Sequence, residues 1–192
     1  MTDSKKLTDA DIARAAKALV VSQAKVRAIL DVEAPRGGFQ DDGQVTILFE
    51  PHKFSEYTGG RFDKSHPHLS NPVWGAVPYS SYASQHGKLQ QAVALDRDAA
   101  LRATSWGIPQ ILGNNWKKVG AASLQDFINR MFRSEGAQLD LMVAFIQSDT
   151  ELWNALKRGD WATVARKYNG SQYRKNQYDV KLAAAHRKFG GN

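Results

Sequence analysis

The chain has 192 residues, enough for one domain with a substantial core or for two small lobes. It is 42% hydrophobic and 23% charged, as ordinary globular proteins are. It has no Cys, which excludes disulfides, a thiol nucleophile and a Cys-based metal site. Its formal net charge is +7, and no apolar run is long enough to predict a transmembrane helix.

Met1 to Lys6 is polar and has no apolar stretch of the kind that secretory signals carry. Thr8 and Asp11 have the spacing of a capping box, and Ile12, Ala15, Ala16 and Leu19 then form the apolar stripe of a first helix. A second helix is predicted to start at Ser22, a good N-cap residue, and to pair with the first as a helical hairpin over residues 8–30. Along it, Val26, Ile29 and Leu30 fall at i, i+3 and i+4, and Glu33 continues the series at i+7. Pro35, Gly37 and Gly38 stop the helix. A carboxyl on an apolar face loses hydration, so its pKa rises and it can act as a general acid. The plainer alternative is a last-turn Glu that pairs with Arg36.

Asp41, Asp42 and Gly43 make a turn, and Gln44 to Glu50 reads as a strand. Val45, Ile47 and Phe49 share one face, while Thr46, Leu48 and Glu50 share the other. Pro51 ends the strand. A helix-end acid followed by a hairpin with a second carboxylate is what glycoside hydrolysis requires. Pro51 to Thr58 is a short helix closed by Gly59-Gly60. The long loop from Arg61 to Tyr79 carries Phe62, Trp74 and Tyr79, aromatic faces suited to stacking on sugar rings or to anchoring the loop. His66 and His68 find no second pair of metal ligands.

Lys88 to Leu95 and Asp96 to Thr104 read as consecutive helices. Trp106-Gly107 breaks the second, and Gln110 is a lone polar residue in an apolar run. One long core helix is expected from Ser123 through Ile146, with Glu135 beside its apolar face as a structural ion-pair partner. Further helices follow at Asp149 to Lys157, Trp161 to Tyr168 and Tyr178 to Phe189, the last basic and amphipathic over residues 178–189. Residues 1–156 carry 17 basic and 17 acidic side chains, which cancel. Residues 157–192 carry nine basic side chains against Asp160 and Asp179, which predicts attraction of the C-terminus to an anionic surface.

Four segments, in order, resemble the phage-type N-acetylmuramidases. Val32-Glu33-Ala34-Pro35-Arg36-Gly37-Gly38-Phe39 is similar to their VES-x-G-x-GF segment, with Ala34 in place of the Ser. Ile47-Leu48-Phe49-Glu50-Pro51-His52-Lys53-Phe54 is similar to LFE-x-H-x-F. Ser105-Trp106-Gly107-Ile108-Pro109-Gln110-Ile111-Leu112-Gly113 is similar to SWG-x-x-QI-x-G. Tyr168-Asn169-Gly170, with Tyr173, Asn176, Tyr178, Lys181 and Leu182, is similar to the family's YNG-x-x-Y-x-x-N-x-Y-x-x-KLA ending.

The resemblance implies a lysozyme-like α+β fold, predominantly α-helical with one small β-hairpin, and one catalytic domain over residues 1–192. It implies a muramidase that cuts peptidoglycan between N-acetylmuramic acid and N-acetylglucosamine. Glu33 would be the general acid and Glu50 the candidate second carboxylate. Gln110, Tyr168 and Asn169 would position substrate, with Trp74 and Tyr79 as aromatic contacts. No metal or organic cofactor is expected. The expected partners are peptidoglycan strands and, through the basic C-terminus, the anionic cell envelope; a monomer without nucleic acid is expected. The family's phage endolysins imply synthesis in the host cytoplasm without a signal peptide and action on the wall after the membrane is permeabilised. Two alternatives are a lytic transglycosylase leaving 1,6-anhydro ends, and a non-catalytic binder of cell wall or nucleic acid.

Overall fold

A computed structural model describes residues 5–34, 36–170 and 173–191 of the chain. Pro35, expected to help end the second helix, lies outside them, as do Met1 to Ser4 of the polar N-terminus. The elements are α1 (Asp9–Leu19), α2 (Gln23–Glu33), β1 (Ile47–Phe49), α3 (Pro51–Thr58), α4 (Gln85–Leu95), α5 (Arg97–Arg102), β2 (Thr104–Trp106), β3 (Ile111–Leu112), α6 (Leu124–Arg133), α7 (Glu135–Gln147), α8 (Thr150–Arg158), α9 (Trp161–Asn169) and α10 (Tyr178–Lys188).

Local signals explain most helix starts. The Thr8 hydroxyl accepts from the Asp11 N–H while the Asp11 carboxylate takes the Thr8 N–H, a reciprocal capping box. Asp96, Ser123, Asp149 and Asp160 each accept from a first-turn N–H of the helix that follows. Ser22 departs from expectation: it stands at the N-cap position of α2, but its hydroxyl makes no cap bond. That helix is held by burial of Val26, Ala28 and Ile29 instead.

Three other expectations change. The single hairpin is part of a three-stranded antiparallel sheet in the order β1-β2-β3. A lone bridge between Phe39 and Val45 precedes β1 and closes the turn at Asp41 to Gly43. Thr104, expected at a helix end, instead opens β2 with Ser105 and Trp106; all three are buried and pair with β1 in the register Ile47 to Trp106 and Phe49 to Thr104. The long helix expected from residue 123 breaks at Ser134, which is fully extended and caps α7 through the Ala137 N–H. A short hydroxylated side chain competes with the helix backbone for hydrogen bonds, so it favours a new start over continuation. The basic C-terminal helix is seated on α2 and α9 with Leu182, Ala185 and His186 buried. Its Lys188 pairs with Asp31, as Arg166 pairs with Glu151 and Lys167 with Asp149 and Glu151.

Two apolar clusters build the body. One gathers Val45, Ile47 and Phe49 from the hairpin with Phe54, Trp106 and Phe127. The other gathers Ile12, Leu19, Val26, Ile29, Leu156 and Leu182 from the helices. Helix α7 belongs to both: Leu141 enters the first, while Leu139, Met142 and Ile146 enter the second. At about 1.5–3 kcal/mol for each large apolar side chain buried, this shared helix fixes the two lobes against one another. The end of α2 meets the start of the sheet at the junction.

Candidate active site

The junction is built from α7 outward. Glu135, at the first position of α7, is 5% exposed. Its Oε1 accepts from the Gly38 N–H at 2.9 Å and its Oε2 from the Leu7 N–H at 2.7 Å, with Lys6 Nζ at 3.6 Å. The ion pair expected of it is thus the lesser part of a backbone clamp. One turn on, Gln138 Oε1 accepts from the Ile108 N–H at 2.8 Å, and its Nε2 donates to the carbonyls of Met131 at 2.8 Å and Gly38 at 3.3 Å. The approach requires glycine: a Cβ on Gly38 would sit 2.0 Å, and one on Gly107 2.7 Å, from the Gln138 amide oxygen. Two side chains of one helix therefore pin both the turn after Glu33 and the loop that carries Gln110.

Between these pinned segments lies a cavity of about 160 Å³, walled by Glu33, Arg36, Thr46, Tyr82, Gln110 and Tyr178 among others. Asn169 Nδ2 donates to Glu33 Oε1 at 2.9 Å. Burial raises the Glu33 carboxyl above the ordinary carboxylate range; the Asn169 bond, which favours the charged form, opposes this. The phenols of Tyr168 and Tyr178 are also pushed up, first by burial and then by the charge of Glu33. Tyr168 donates its hydroxyl to the Pro109 carbonyl at 3.1 Å, tying the end of α9 to the Gln110 loop. Gln110 is left-handed at φ 46, a strain of about 1–3 kcal/mol for a non-glycine residue. Its amide nitrogen donates to the carbonyls of Gly107 at 2.9 Å and Thr46 at 3.4 Å.

A second cavity of about 390 Å³ shares Arg36, Thr46 and Tyr82 with the first and continues along Gln40, Asp41 and Asp42. The Arg36 guanidinium lies 4.5 Å over the Tyr82 ring where the two meet. Among the described residues, three buried side-chain polar atoms have no hydrogen-bond partner. Two of them, Thr46 Oγ1 and Gln40 Nε2, belong to residues on these walls. Buried polar atoms are nearly always paired, so two orphans on these walls stand out, Thr46 Oγ1 on the wall that also carries Glu33 and Gln40 Nε2 on the second. Sequence reading passed over Thr46, Gln40, Arg36 and Tyr82 as site residues; only the alternation that puts Thr46 on the polar face of its strand signalled one of them.

The other residues singled out from sequence lie elsewhere. Glu50 is not on either wall. Four residues along the strand from Thr46 span roughly 13 Å. Glu50 Oε1 accepts from Ser105 Oγ at 2.7 Å, and its Oε2 is 3.6 Å from His52 Nε2. It stands at the N-cap position of α3 but makes no cap bond. Burial lowers the His52 imidazole, with the Glu50 charge acting in the other direction. Tyr79 feels the Glu50 charge and is half exposed, while Trp74 is 73% exposed; neither lines the Glu33 cavity. Among the described residues no group of three His, Cys, Asp or Glu side chains has the geometry to hold a metal ion. No helix there is long and apolar enough to cross a membrane.

Comparison with known proteins gives the geometry a family. The N-acetylmuramidase family model matches residues 22–190, which spans both lobes and every wall of the two cavities. The crystal structure of an endolysin from the Burkholderia phage AP3 superposes with a TM-score of 0.90 at 37% identity, over 98% of this chain and 72% of that one. No curated protein matches the chain. A helix-end carboxyl held at a lobe junction, a small sheet beside it and a match over nearly the whole length all agree: the chain belongs to the N-acetylmuramidase family, peptidoglycan hydrolases of the lysozyme type with a predominantly helical α+β fold.

Proposed function

We propose that Glu33 is the general acid of a muramidase reaction, and that the chain serves as the endolysin of a bacteriophage. The observation that carries the assignment is a carboxyl raised by burial whose one side-chain partner is the neutral amide of Asn169. A carboxyl so placed keeps its proton to higher pH than an exposed one and can give it to a glycosidic oxygen as the bond to the anomeric carbon breaks. Water then adds to that carbon. Among the described residues Glu33 is the sole carboxylate on the wall of its cavity, and once ionised it would be the group to take the water's proton. The orphan hydroxyl of Thr46 would hold that water or a sugar hydroxyl.

Gln110, with its amide nitrogen spent on backbone, would offer its oxygen to an N-acetyl or hydroxyl group of the substrate. Asn169 would orient Glu33 and Tyr168 would brace the Gln110 loop, so both act on substrate through others. Glu50, Trp74 and Tyr79 would meet more distant sugar units, with Glu50 too far along its strand to share the scissile bond. We take the described body as one catalytic unit acting as a monomer on glycan strands, without a metal or nucleic acid. The phage role is supported by the AP3 endolysin, 37% identical over almost the whole chain. It implies synthesis in the host and later access to the wall.

Digesting purified peptidoglycan and analysing the fragments by mass spectrometry tests the reaction. Reducing N-acetylmuramic acid ends that take up one oxygen from labelled water are expected. Products ending in 1,6-anhydro rings would overturn hydrolysis in favour of transglycosylation, and intact wall would overturn catalysis.

A further inference from the structure

On a different face, the cleft where α1 turns into α2 carries lysine charge that no carboxylate among the described residues pairs with. It holds about 730 Å³ and is walled by Lys17, Lys25, Lys157 and His186, with Val20 and Val21 at the turn. Among the described residues no acidic side chain lies on its wall. Among the described residues none of the three lysines has a carboxylate at ion-pair distance, whereas Arg166, Lys167 and Lys188 all do. Lys25 Nζ donates to the Lys157 carbonyl at 2.6 Å, and Lys157 Nζ lies 3.8 Å over the Trp153 ring.

His186 adds an independent sign of a missing ligand. It is 7% exposed, lines the cleft, and its ring makes no hydrogen bond among the described residues. Its ring neighbours are Trp161, with centroids 5.2 Å apart, and Gly191, where a Cβ would sit 2.0 Å from Nε2. The start of α2, an 11-residue helix, opens onto the same cleft, and no side chain caps its first turn. Its free N–H groups add the positive end of a helix dipole to the three ammonium groups.

We propose that this cleft binds a phosphate group carried on an anionic lipid headgroup. A tetrahedral phosphate accepts from several directions at once, which suits the lysines, the imidazole and the uncapped helix start that share this wall. Val20, 70% exposed beside the lysines, gives the bound headgroup an apolar neighbour, which a free inorganic ion does not need. The protonation states agree: burial lowers Lys25, and burial followed by the charges of Lys25 and Arg187 lowers His186. A bound dianion would reverse both. The charges acting on His186 are Lys25 from α2 and Arg187 from its own helix, and Lys17 from α1 and Lys157 from α8 stand on the same cleft wall.

The test uses the full chain and two probes. First, the His186 ring protons are followed by NMR through a pH titration, with and without inorganic phosphate; the His186 midpoint should rise when phosphate is present. Second, the chain is sedimented with vesicles of phosphatidylglycerol or of phosphatidylcholine at low salt. It should bind the anionic vesicles, and Lys25→Gln and Lys157→Gln should each weaken this by about fivefold. Lys64→Gln with Lys175→Gln, which lowers net charge elsewhere, should have a smaller effect than either. An unmoved His186 midpoint overturns the site, and the two cleft variants guard against a fault in any one of them. A phosphate response without vesicle binding overturns the lipid source and leaves a site for free phosphate. Equal vesicle binding by the cleft and control variants assigns the attraction to net charge and overturns the proposal.

Discussion

Glu33 and Glu50 flank one hairpin, and their surroundings are opposite in kind. Glu33 sits at the lobe junction with the neutral amide of Asn169 on its carboxyl, and burial raises its pKa above the ordinary value. Glu50 sits at the other end of the strand with a serine hydroxyl on one oxygen and a histidine near the other. The Ser105 hydroxyl occupies one of its oxygens, and the imidazole lies within ion-pair range of the other. The contrast teaches that a pair of carboxylates 17 positions apart says little about chemistry until the partners of each are known. Glu33 has burial and one neutral amide about it, whereas Glu50 has a hydroxyl and a nearby imidazole.

The strongest way to break the comparison is Glu33→Gln. Lysis of purified wall should fall by at least ~100-fold, the low end for losing acid catalysis. The same variant reports on burial. The folded pKa of Glu33 lies above its ordinary value of 4.5, so ionisation disfavours the folded state once pH exceeds that value. Glu33→Gln should therefore melt higher than the parent at neutral pH, with the difference vanishing in acid. A variant that keeps its activity would remove Glu33 from the centre of the scheme.

Thr46→Val keeps the shape of the side chain and deletes the orphan hydroxyl. Turnover should drop about 3–10-fold, the worth of one hydrogen bond, while the melting temperature stays level or rises because no unpaired polar atom remains buried. A fall in stability with unchanged turnover would show the hydroxyl to be structural.

Glu50→Gln sharpens the contrast from the other side. Turnover per folded molecule should change by less than about threefold, and the loss should appear as stability, through the weakened Ser105 bond, at about 1 kcal/mol. Thermal melts beside single-turnover assays separate the two; a large loss of turnover at unchanged melting temperature would return Glu50 to the chemistry.

Asn169→Ala should have the smallest effect on rate and a directional one on pH. Its amide favours the charged carboxylate, so removing it lets the Glu33 pKa climb further. Activity that needs protonated Glu33 should then persist to higher pH. An alkaline limb that moves down would contradict the role given to this bond.

Much of this was legible in the sequence where the cause is local. The i+7 position of Glu33 put it on the buried face, and the caps at Thr8, Asp96 and Asp160 lie where hydroxyl and carboxylate side chains precede apolar periodicity. Non-local causes were not legible. The break at Ser134 is hidden because α6 and α7 both carry apolar side chains at helical spacing on either side of it. The three-residue strand β2 exists through pairing with β1 almost 60 positions earlier, and the two-residue β3 through pairing with β2 in turn. The partners of Glu135 are backbone groups of Leu7 and Gly38, which no pattern around residue 135 announces. The orphan state of Thr46 is defined by what fails to surround it.

The grip of Gln138 on Gly38, Ile108 and Met131 also bears on how this enzyme can be altered. Any side chain at Gly38 or Gly107 collides with the amide, and any shortening of Gln138 removes the partner of the Ile108 N–H and of the Met131 carbonyl, while the Gly38 carbonyl keeps the Thr46 N–H. Substituted one at a time, each of these positions will look invariant. They make up a single locus for directed evolution: libraries that randomise residues 38, 107 and 138 together can reach new loop geometries over Glu33 that no stepwise path of tolerated single changes connects.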